Sequence, residues 1–275
     1  MNKKKILVLG ANGKTGRRVI DRLETISDIE VRKGSRNENV PFYWENPESW
    51  QPVIQGIDTI YITFQPDLAI PSAIETITKF TTLATQQGVR KMVLLSGRGE
   101  KEAQVCEEIV KSKAKNWTIV RASWFSQNFS ESFFLEPILA GIVALPRAET
   151  PEPFIDADDI ADVVVESLLD DKHNGKTYEL TGPELLTFPQ AVEEIAKATN
   201  RDISFQGLTL TEYTQMLRDY DVPEDHIWLA NYLFEKALDG RNSNITNDVE
   251  KVLGRKAKKF SAYAQRTAET GIWNV

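Results

Sequence analysis

The chain predicts an α/β fold: a doubly wound parallel sheet with a smaller, mostly helical C-terminal lobe. Three observations carry this reading. Short runs rich in Ile, Val and Leu alternate with longer amphipathic stretches through the first 125 residues or so, as in a parallel sheet covered on both faces. A glycine-rich turn, Gly10-Ala11-Asn12-Gly13-Lys14-Thr15-Gly16, directly follows the first apolar run and opens a helical pattern. Beyond residue 137, prolines interrupt the alternation and helical spacing takes over.

In chain order, strand patterns cover Ile6–Leu9, Ile29–Lys33, Pro41–Trp44, Thr59–Thr63, Lys91–Leu95 and Thr118–Arg121. Helical patterns lie near Thr15–Thr25, Glu48–Gln55, Ile70–Gln87 and Glu102–Ser112. Right-handed crossovers between such strands give the doubly wound topology. Pro137, Pro146, Pro151 and Pro153 break up the next stretch. The run Asp156-Ala157-Asp158-Asp159-Ile160-Ala161-Asp162 then reads as an acidic helix start, where carboxylates face the positive end of the helix dipole. Capping explains these aspartates better than metal binding, because no carboxylates from other elements are seen to converge on them. Lys176–Leu180 reads as a strand. Thr187 caps a following helix with Pro189 in its first turn. Residues 202–275 are mostly helical, with one strand near Ile203–Leu208. The expected organisation is a nucleotide domain over residues 1–150 and a smaller lobe over 151–275, interleaved, with a cleft between them.

With 275 residues, 41% of them hydrophobic, a large core is available. A net charge of −7 repels phosphate backbones and makes nucleic acid a poor partner. The single cysteine, Cys106, excludes an internal disulfide and suits a reducing cytoplasm. His173 and His226, the two histidines, are not spaced as ligands and read as packing or surface residues, so no metal site is expected. The basic start Met1-Asn2-Lys3-Lys4-Lys5 is followed by only Ile6–Leu9 before Gly10. That run is too short for the apolar segment of a secretory signal, which needs about 7–15 residues, and no run approaches the roughly 20 apolar residues of a membrane helix. The reading is of a soluble protein with a small-molecule partner; its oligomeric state is left open.

Strand, G-x-x-G-x-x-G turn and helix, in that order, are the context of a dinucleotide site. One glycine permits the tight turn, one lets backbone approach a pyrophosphate, and one lets helix and strand pack closely. The pyrophosphate then meets free N–H groups and the positive helix end. The open G-x-G-x-x-G form would need glycine where Asn12 stands, and a Walker loop would need it at Val8. ATP hydrolysis is therefore disfavoured. After the second strand, Gly34-Ser35-Arg36 offers no carboxylate for ribose hydroxyls; Arg36, aided by Ser35, instead suits a 2′-phosphate. The expected cofactor is NADP(H) over NAD(H), with Arg32 and Lys33 as nearby alternatives to Arg36.

Several segments together resemble the NmrA-like branch of the atypical short-chain dehydrogenases/reductases, over nearly the whole chain. They are Gly10–Gly16, Gly88–Ser96, Trp117–Arg121, Trp124–Phe129, Phe154–Ile160 and Tyr178–Glu184. Within that branch the chain is most similar to bacterial relatives of ergot-alkaloid (agroclavine dehydrogenase-like) reductases and of type 2 NAD(P)H:quinone oxidoreductases. The resemblance implies a Rossmann domain with a small lobe holding substrate. It implies cofactor contacts from Gly10, Asn12, Gly13, Lys14, Thr15, Gly16, Ser35 and Arg36. Further contacts come from the ends of the fourth to sixth strand patterns: Thr63, Phe64, Gln65, Ser96, Gly97, Ala122 and Ser123. The departures matter too. With Glu107 set against the family's helix glutamate, the tyrosine and lysine of the wider family's Tyr-x-x-x-Lys fall near Gly99 and Ala103. Neither is an acid or base, and Ser96 stands without a proton donor beside it, so no catalytic residue is named. Ala122 replaces a common proline, and Tyr43 a common aspartate near the adenine.

Trp124, Phe125, Phe129, Phe133 and Phe134 cluster after the sixth strand pattern, with Phe129 and Phe133 spaced for one helix face. Most such aromatics fill core. Trp124 and Phe125 stand at a strand's carboxyl end and are the candidates to wall a flat substrate, with Asn128 as a hydrogen-bonding partner; Trp228, Tyr232 and Phe234 are candidates to close the other side. Two functions fit: an NADPH-dependent reductase of a quinone, imine or iminium, or similar electron-poor molecule, and a non-catalytic NADP(H)-sensing regulator of the NmrA type. The reductase is preferred, because a bound hydride donor needs mainly positioning.

Overall fold

The computed structural model describes residues 3–275; Met1 and Asn2 of the basic lead-in lie outside them. The described chain forms two compact units. The first comprises the residues up to Ala122 together with Ala157–Glu179, and the second Ser123–Asp156 with Leu180–Val275.

The first unit holds a six-stranded sheet in the order β2-β1-β3-β4-β5-β7. Its strands are β1 (Lys4–Leu9), β2 (Ile29–Gly34), β3 (Thr59–Ile62), β4 (Lys91–Gly97), β5 (Asn116–Ala122) and β7 (Lys176–Leu180). Pairing is parallel from β2 through β5, with Ile6 opposite both Val31 and Thr59, and Leu94 opposite Ile119. The order places β1 between β2 and β3, the switch point where doubly wound sheets hold ligands beyond the carboxyl ends of their strands.

Alternation along the strands sorts the core. Leu7, Leu9, Ile60, Ile62, Met92 and Leu94 pack on one face with Phe80 of α3 (Ala73–Gln86) and Cys106 of α4 (Lys101–Lys113). Helices α1 (Lys14–Leu23) and α7 (Ala157–Leu169) pack together, burying Val19, Val163 and Val164. The acidic run explains itself here. Asp158 and Asp159 occupy the first turn of α7. Asp158 also meets Arg18 at 3.1 Å and Arg22 at 3.4 Å, and Asp162 pairs with Arg22. His173 is buried, with Nδ1 2.8 Å from the Tyr178 hydroxyl, a packing residue as expected.

The strand expected over Pro41–Trp44 is absent. Phe42 and Trp44 alternate as strand residues would, but they serve an aromatic cluster with Trp50 and Phe80, their rings 4.9–6.2 Å from their neighbours. The segment's backbone is held outside any sheet ladder: Phe42 N donates to Ser35 O at 3.0 Å, the Trp50 indole donates to Tyr43 O at 2.8 Å, and Tyr43 N to Ser49 Oγ at 3.0 Å. Helix α2 is correspondingly short, Trp50–Ile54, preceded by a 3₁₀ turn at Pro47–Ser49.

The second unit contains a two-stranded parallel sheet of β6 (Ile142–Pro146) and β8 (Ser204–Leu208). β6 was not legible amid the prolines. Pro146 ends that strand opposite Leu208, and an edge position tolerates the missing N–H. Short helices α5 (Asn128–Glu131) and α6 (Leu135–Ala140) precede it. The remaining helices are α8 (Phe188–Thr199), α9 (Leu210–Asp219), α10 (Glu224–Tyr232), α11 (Asp248–Leu253) and α12 (Phe260–Glu269). Thr187 caps α8 through a full capping box with Gln190. The core gathers Phe129, Phe134, Phe154, Phe188, Phe234, Phe260 and Trp273. The expected helix face of Phe129 and Phe133 does not form. α5 stops at Glu131, Phe129 is buried and Phe133 is 63% exposed; the buried partner is Phe134, its ring 5.1 Å from Phe129.

Candidate functional site

The glycine turn is built as a cradle. Gly10 leaves β1 at φ +64°, and its carbonyl accepts the Gly13 amide at 2.8 Å. A Cβ on Gly10 would stand 2.2 Å from Thr63 Oγ1, and one on Gly16 would stand 2.1 Å from the Gly10 carbonyl oxygen. Only glycine permits both of these approaches. Gly13 is the N-cap of α1; no side chain caps the helix, and no acidic residue stands in its first turn. The positive helix end therefore stays available to an anion.

Around the turn, Asn12 donates to Ser35 Oγ at 3.2 Å, tying the loop to the end of β2. Arg36 is exposed and engages no group among the described residues. The alternatives are occupied: Arg32 donates to the Val53 and Gln55 carbonyls, both at 2.8 Å, and Lys33 pairs with Glu24 at 3.0 Å. Thr15 is committed inward. The buried Tyr61 hydroxyl donates to its Oγ1 at 2.9 Å, and burial pushes that phenol well above its ordinary range. The features required of a dinucleotide turn are thus present in side chains and backbone alike.

The carboxyl ends of β3, β4 and β5 bring up the next group; with Pro41–Trp44 not a strand, these are the ends numbered fourth to sixth from sequence. Thr63 Oγ1 donates to Leu9 O at 3.0 Å. The Gln65 amide lies 3.9 Å from where a Cβ on Gly13 would be. The Phe64 ring turns inward instead, 4.9 Å from Trp44. Ser96 is buried and donates to Glu107 Oε1 at 2.7 Å. Glu107, fully buried, also accepts from Arg121 Nε at 2.7 Å and Nη2 at 2.6 Å. Arg121 reaches Glu179 at 3.1 Å, which also takes Arg98 at 3.2 Å. Hydrogen bonds to Glu107, the first cause, hold the Arg121 guanidinium firmly protonated. Ser96 is thus oriented by a buried charge network, which Lys111 joins 3.7 Å from Glu107 Oε2. The Ala122 carbonyl accepts the Arg98 amide at 3.0 Å.

Sequence reasoning missed one pair beside these residues. Glu100 is 7% exposed and folds back onto Gly97, where a Cβ would lie 1.9 Å from its Oε1. It is hydrogen-bonded to Asp67, from the loop after β3. The only signal was an acid just past Gly97; its partner lies far away in sequence.

In the second unit, Ser123 N donates to Leu180 O at 3.0 Å, while its buried hydroxyl has no partner among the described residues. The Trp124 ring lies parallel to Phe134 at 6.3 Å and tilted to Phe234 at 5.2 Å. Phe125 is half-buried and bridges Ile155 through its backbone. Asn128 opens α5. Phe234 is buried core, whereas Trp228 is 44% exposed and stacks on Tyr232 at 5.6 Å. Among the described residues no group of acids, histidines and cysteine could hold a metal, and no helix is long and apolar enough to cross a membrane.

Comparison with known proteins gives the wider setting. The chain is 27% identical to prestalk A differentiation protein A of Dictyostelium discoideum, over 96% of this chain and 93% of that protein. It is 24% identical to agroclavine dehydrogenase of Claviceps fusiformis, over 94% and 95%. Its fold is similar to the NADPH-dependent quinone oxidoreductase of Escherichia coli solved with NADPH, at a TM-score of 0.79 and 17% identity, over 95% and 99% of the two chains. The sequence pattern of the NmrA-like family matches residues 2–269, and this chain belongs to the NmrA-like family.

Proposed function

We propose that this protein is an NADPH-dependent reductase of a quinone, an imine or iminium, or a similarly electron-poor small molecule. The observation that carries the reading is the uncapped glycine turn with an unengaged arginine, Arg36, just past β2. The backbone from Gly10 to Gly16, with Asn12, Lys14 and Thr15 in it, would hold the pyrophosphate. Arg36 would pair with the 2′-phosphate and Ser35 would add a hydroxyl. Thr63, Phe64, Gln65, Ser96, Gly97, Ala122 and Ser123 would line the remainder of the cofactor. When bound, the reduced nicotinamide supplies a hydride. Trp124 and Phe125 would contact a flat substrate and Asn128 would orient it by a hydrogen bond. The neighbours support this reading by their names: one dehydrogenase acts on agroclavine, and the quinone oxidoreductase depends on NADPH. Cys106 is buried, and burial, then the Glu107 charge, push its thiol up to about 12. It takes no part in the chemistry, and the cytoplasm suits it.

A regulatory reading is favoured by one observation: Gly99 and Ala103 carry no acid or base, and Ser96 is fully engaged by Glu107. One assay separates the two. Purified protein mixed with NADPH and a panel of quinones, imines and enones should consume NADPH at about one turnover per second or faster with at least one acceptor. Tight NADPH binding without turnover of any acceptor would establish the sensor instead.

A further inference from the structure

Glu100 stands at the N-cap position of α4 but does not cap it. Its carboxyl lies against Gly97, the last residue of β4, so closely that a Cβ there would meet Oε1 at 1.9 Å and Oε2 at 2.4 Å. Glycine at 97 makes room for this carboxyl. Oε2 is buried with no hydrogen-bond partner among the described residues. Asp67, two residues past Gln65, bonds the Glu100 side chain, so the pair straddles the carboxyl ends of the adjacent strands β3 and β4. Ligands of doubly wound sheets sit at that edge.

Two carboxyl groups can share a hydrogen bond only if one keeps its proton. That one is Glu100. Burial, the first cause, and then the Asp67 charge and hydrogen bond push its pKa well above the glutamate range; Glu102 and Glu107 of α4 add to this. Burial also raises Asp67, but the Ala69 amide, 2.8 Å from Oδ1, and the bond from Glu100 oppose the rise, which makes Asp67 the ionised partner.

We propose that Glu100 is the proton donor of this site, delivering its proton directly or through one water to the oxygen or nitrogen that receives the electron pair when a substrate C=O or C=N bond is reduced by a nicotinamide hydride. The inference rests on the reductase reading above. In an imine the hydride and its electron pair form a new C–H bond, and the C=N π pair moves to nitrogen, which forms its N–H bond with the Glu100 proton. In a quinone the hydride ends as one O–H bond of the hydroquinone, the displaced π pairs move through the ring to the other oxygen, and that oxygen takes the Glu100 proton. Glu100 is left as carboxylate, the reductant is oxidised by two electrons, and a solvent proton restores the acid. This supplies the acid that Gly99 and Ala103 lack.

The test is Glu100→Gln, which keeps the shape and an N–H for Asp67 but has no acidic proton. Infrared spectra of the cofactor-free protein at neutral pH should show a protonated-carboxyl band that the variant loses. With NADPH, the ratio of quinone turnover to turnover of a cationic triarylmethane dye, which takes hydride at carbon and needs no proton, should fall about 100-fold. Quinone turnover by the wild type should decline as pH rises through the Glu100 pKa. Asp67→Asn, which removes the adjacent like charge, should move that decline to lower pH. An unchanged infrared band, an unchanged ratio, or equal loss with both acceptors would overturn the proposal. A wild-type protein inert with every acceptor would instead defeat the reductase reading, and this inference with it.

Discussion

Glu107→Ala is expected to destabilise the protein by about 3–5 kcal/mol, the cost of removing one partner from a buried ion pair. Glu107 is fully buried and receives Ser96 and two nitrogens of Arg121 within 2.6–2.7 Å. Its loss leaves the Ser96 hydroxyl and much of a guanidinium without the carboxylate that justified their burial. Glu179 retains Arg121 at one nitrogen only. At about 2–4 °C per kcal/mol for a chain of this size, Tm should fall by roughly 6–20 °C. Glu107→Gln, which keeps the shape and one acceptor, should cost clearly less. Thermal melts of the three proteins decide it: a shift under about 2 °C for alanine would mean that the network contributes little.

Gly16→Val should weaken cofactor binding and the fold of the turn together. Gly16 lies inside α1, where replacing glycine ordinarily stabilises a helix. Here a Cβ would stand 2.1 Å from the Gly10 carbonyl oxygen and 2.8 Å from its carbon, and both are backbone atoms with nowhere to go. Overpacking of this kind costs about 1–3 kcal/mol or more, and relief requires the turn that faces the pyrophosphate to move. We expect NADPH affinity to fall at least about tenfold with a lowered Tm, since each 1.4 kcal/mol is a factor of about ten. Gly207→Ala is the control, because a Cβ there meets only the Ala148 methyl at an ordinary 3.6 Å. Wild-type affinity and stability in Gly16→Val would show that the close approach has no role in the turn.

What could be read in advance followed the range of each physical signal. The glycine turn, β1, β2 and the helices that follow are local: their periodicity and punctuation sit within a dozen residues. Arg36 could be singled out because the absence of a carboxylate after β2 is also local. The structure then separated Arg36 from Arg32 and Lys33 by showing that the latter two are engaged, which depends on Val53, Gln55 and Glu24. Phe42 and Trp44 misled because alternation reports burial, and burial beneath Phe80 mimics burial beneath a sheet. β6 was hidden because its partner, β8, is some sixty residues away, whereas its prolines are adjacent. The Glu100–Asp67 pair offered no signal beyond an acid just past Gly97. Its chemistry arises from two strand ends that the topology places side by side.

This chain is expected to take the phosphorylated dinucleotide through Arg36. Titration of NADPH and NADH into wild-type protein and Arg36→Asp tests it most directly. Two charge-assisted hydrogen bonds are at stake, each worth about 1.5–3 kcal/mol. The variant should therefore bind NADPH at least about 100-fold more weakly, while NADH, whose ribose hydroxyls the new carboxylate can accept, should bind as well as before or better. Unchanged NADPH affinity in Arg36→Asp would contradict the account.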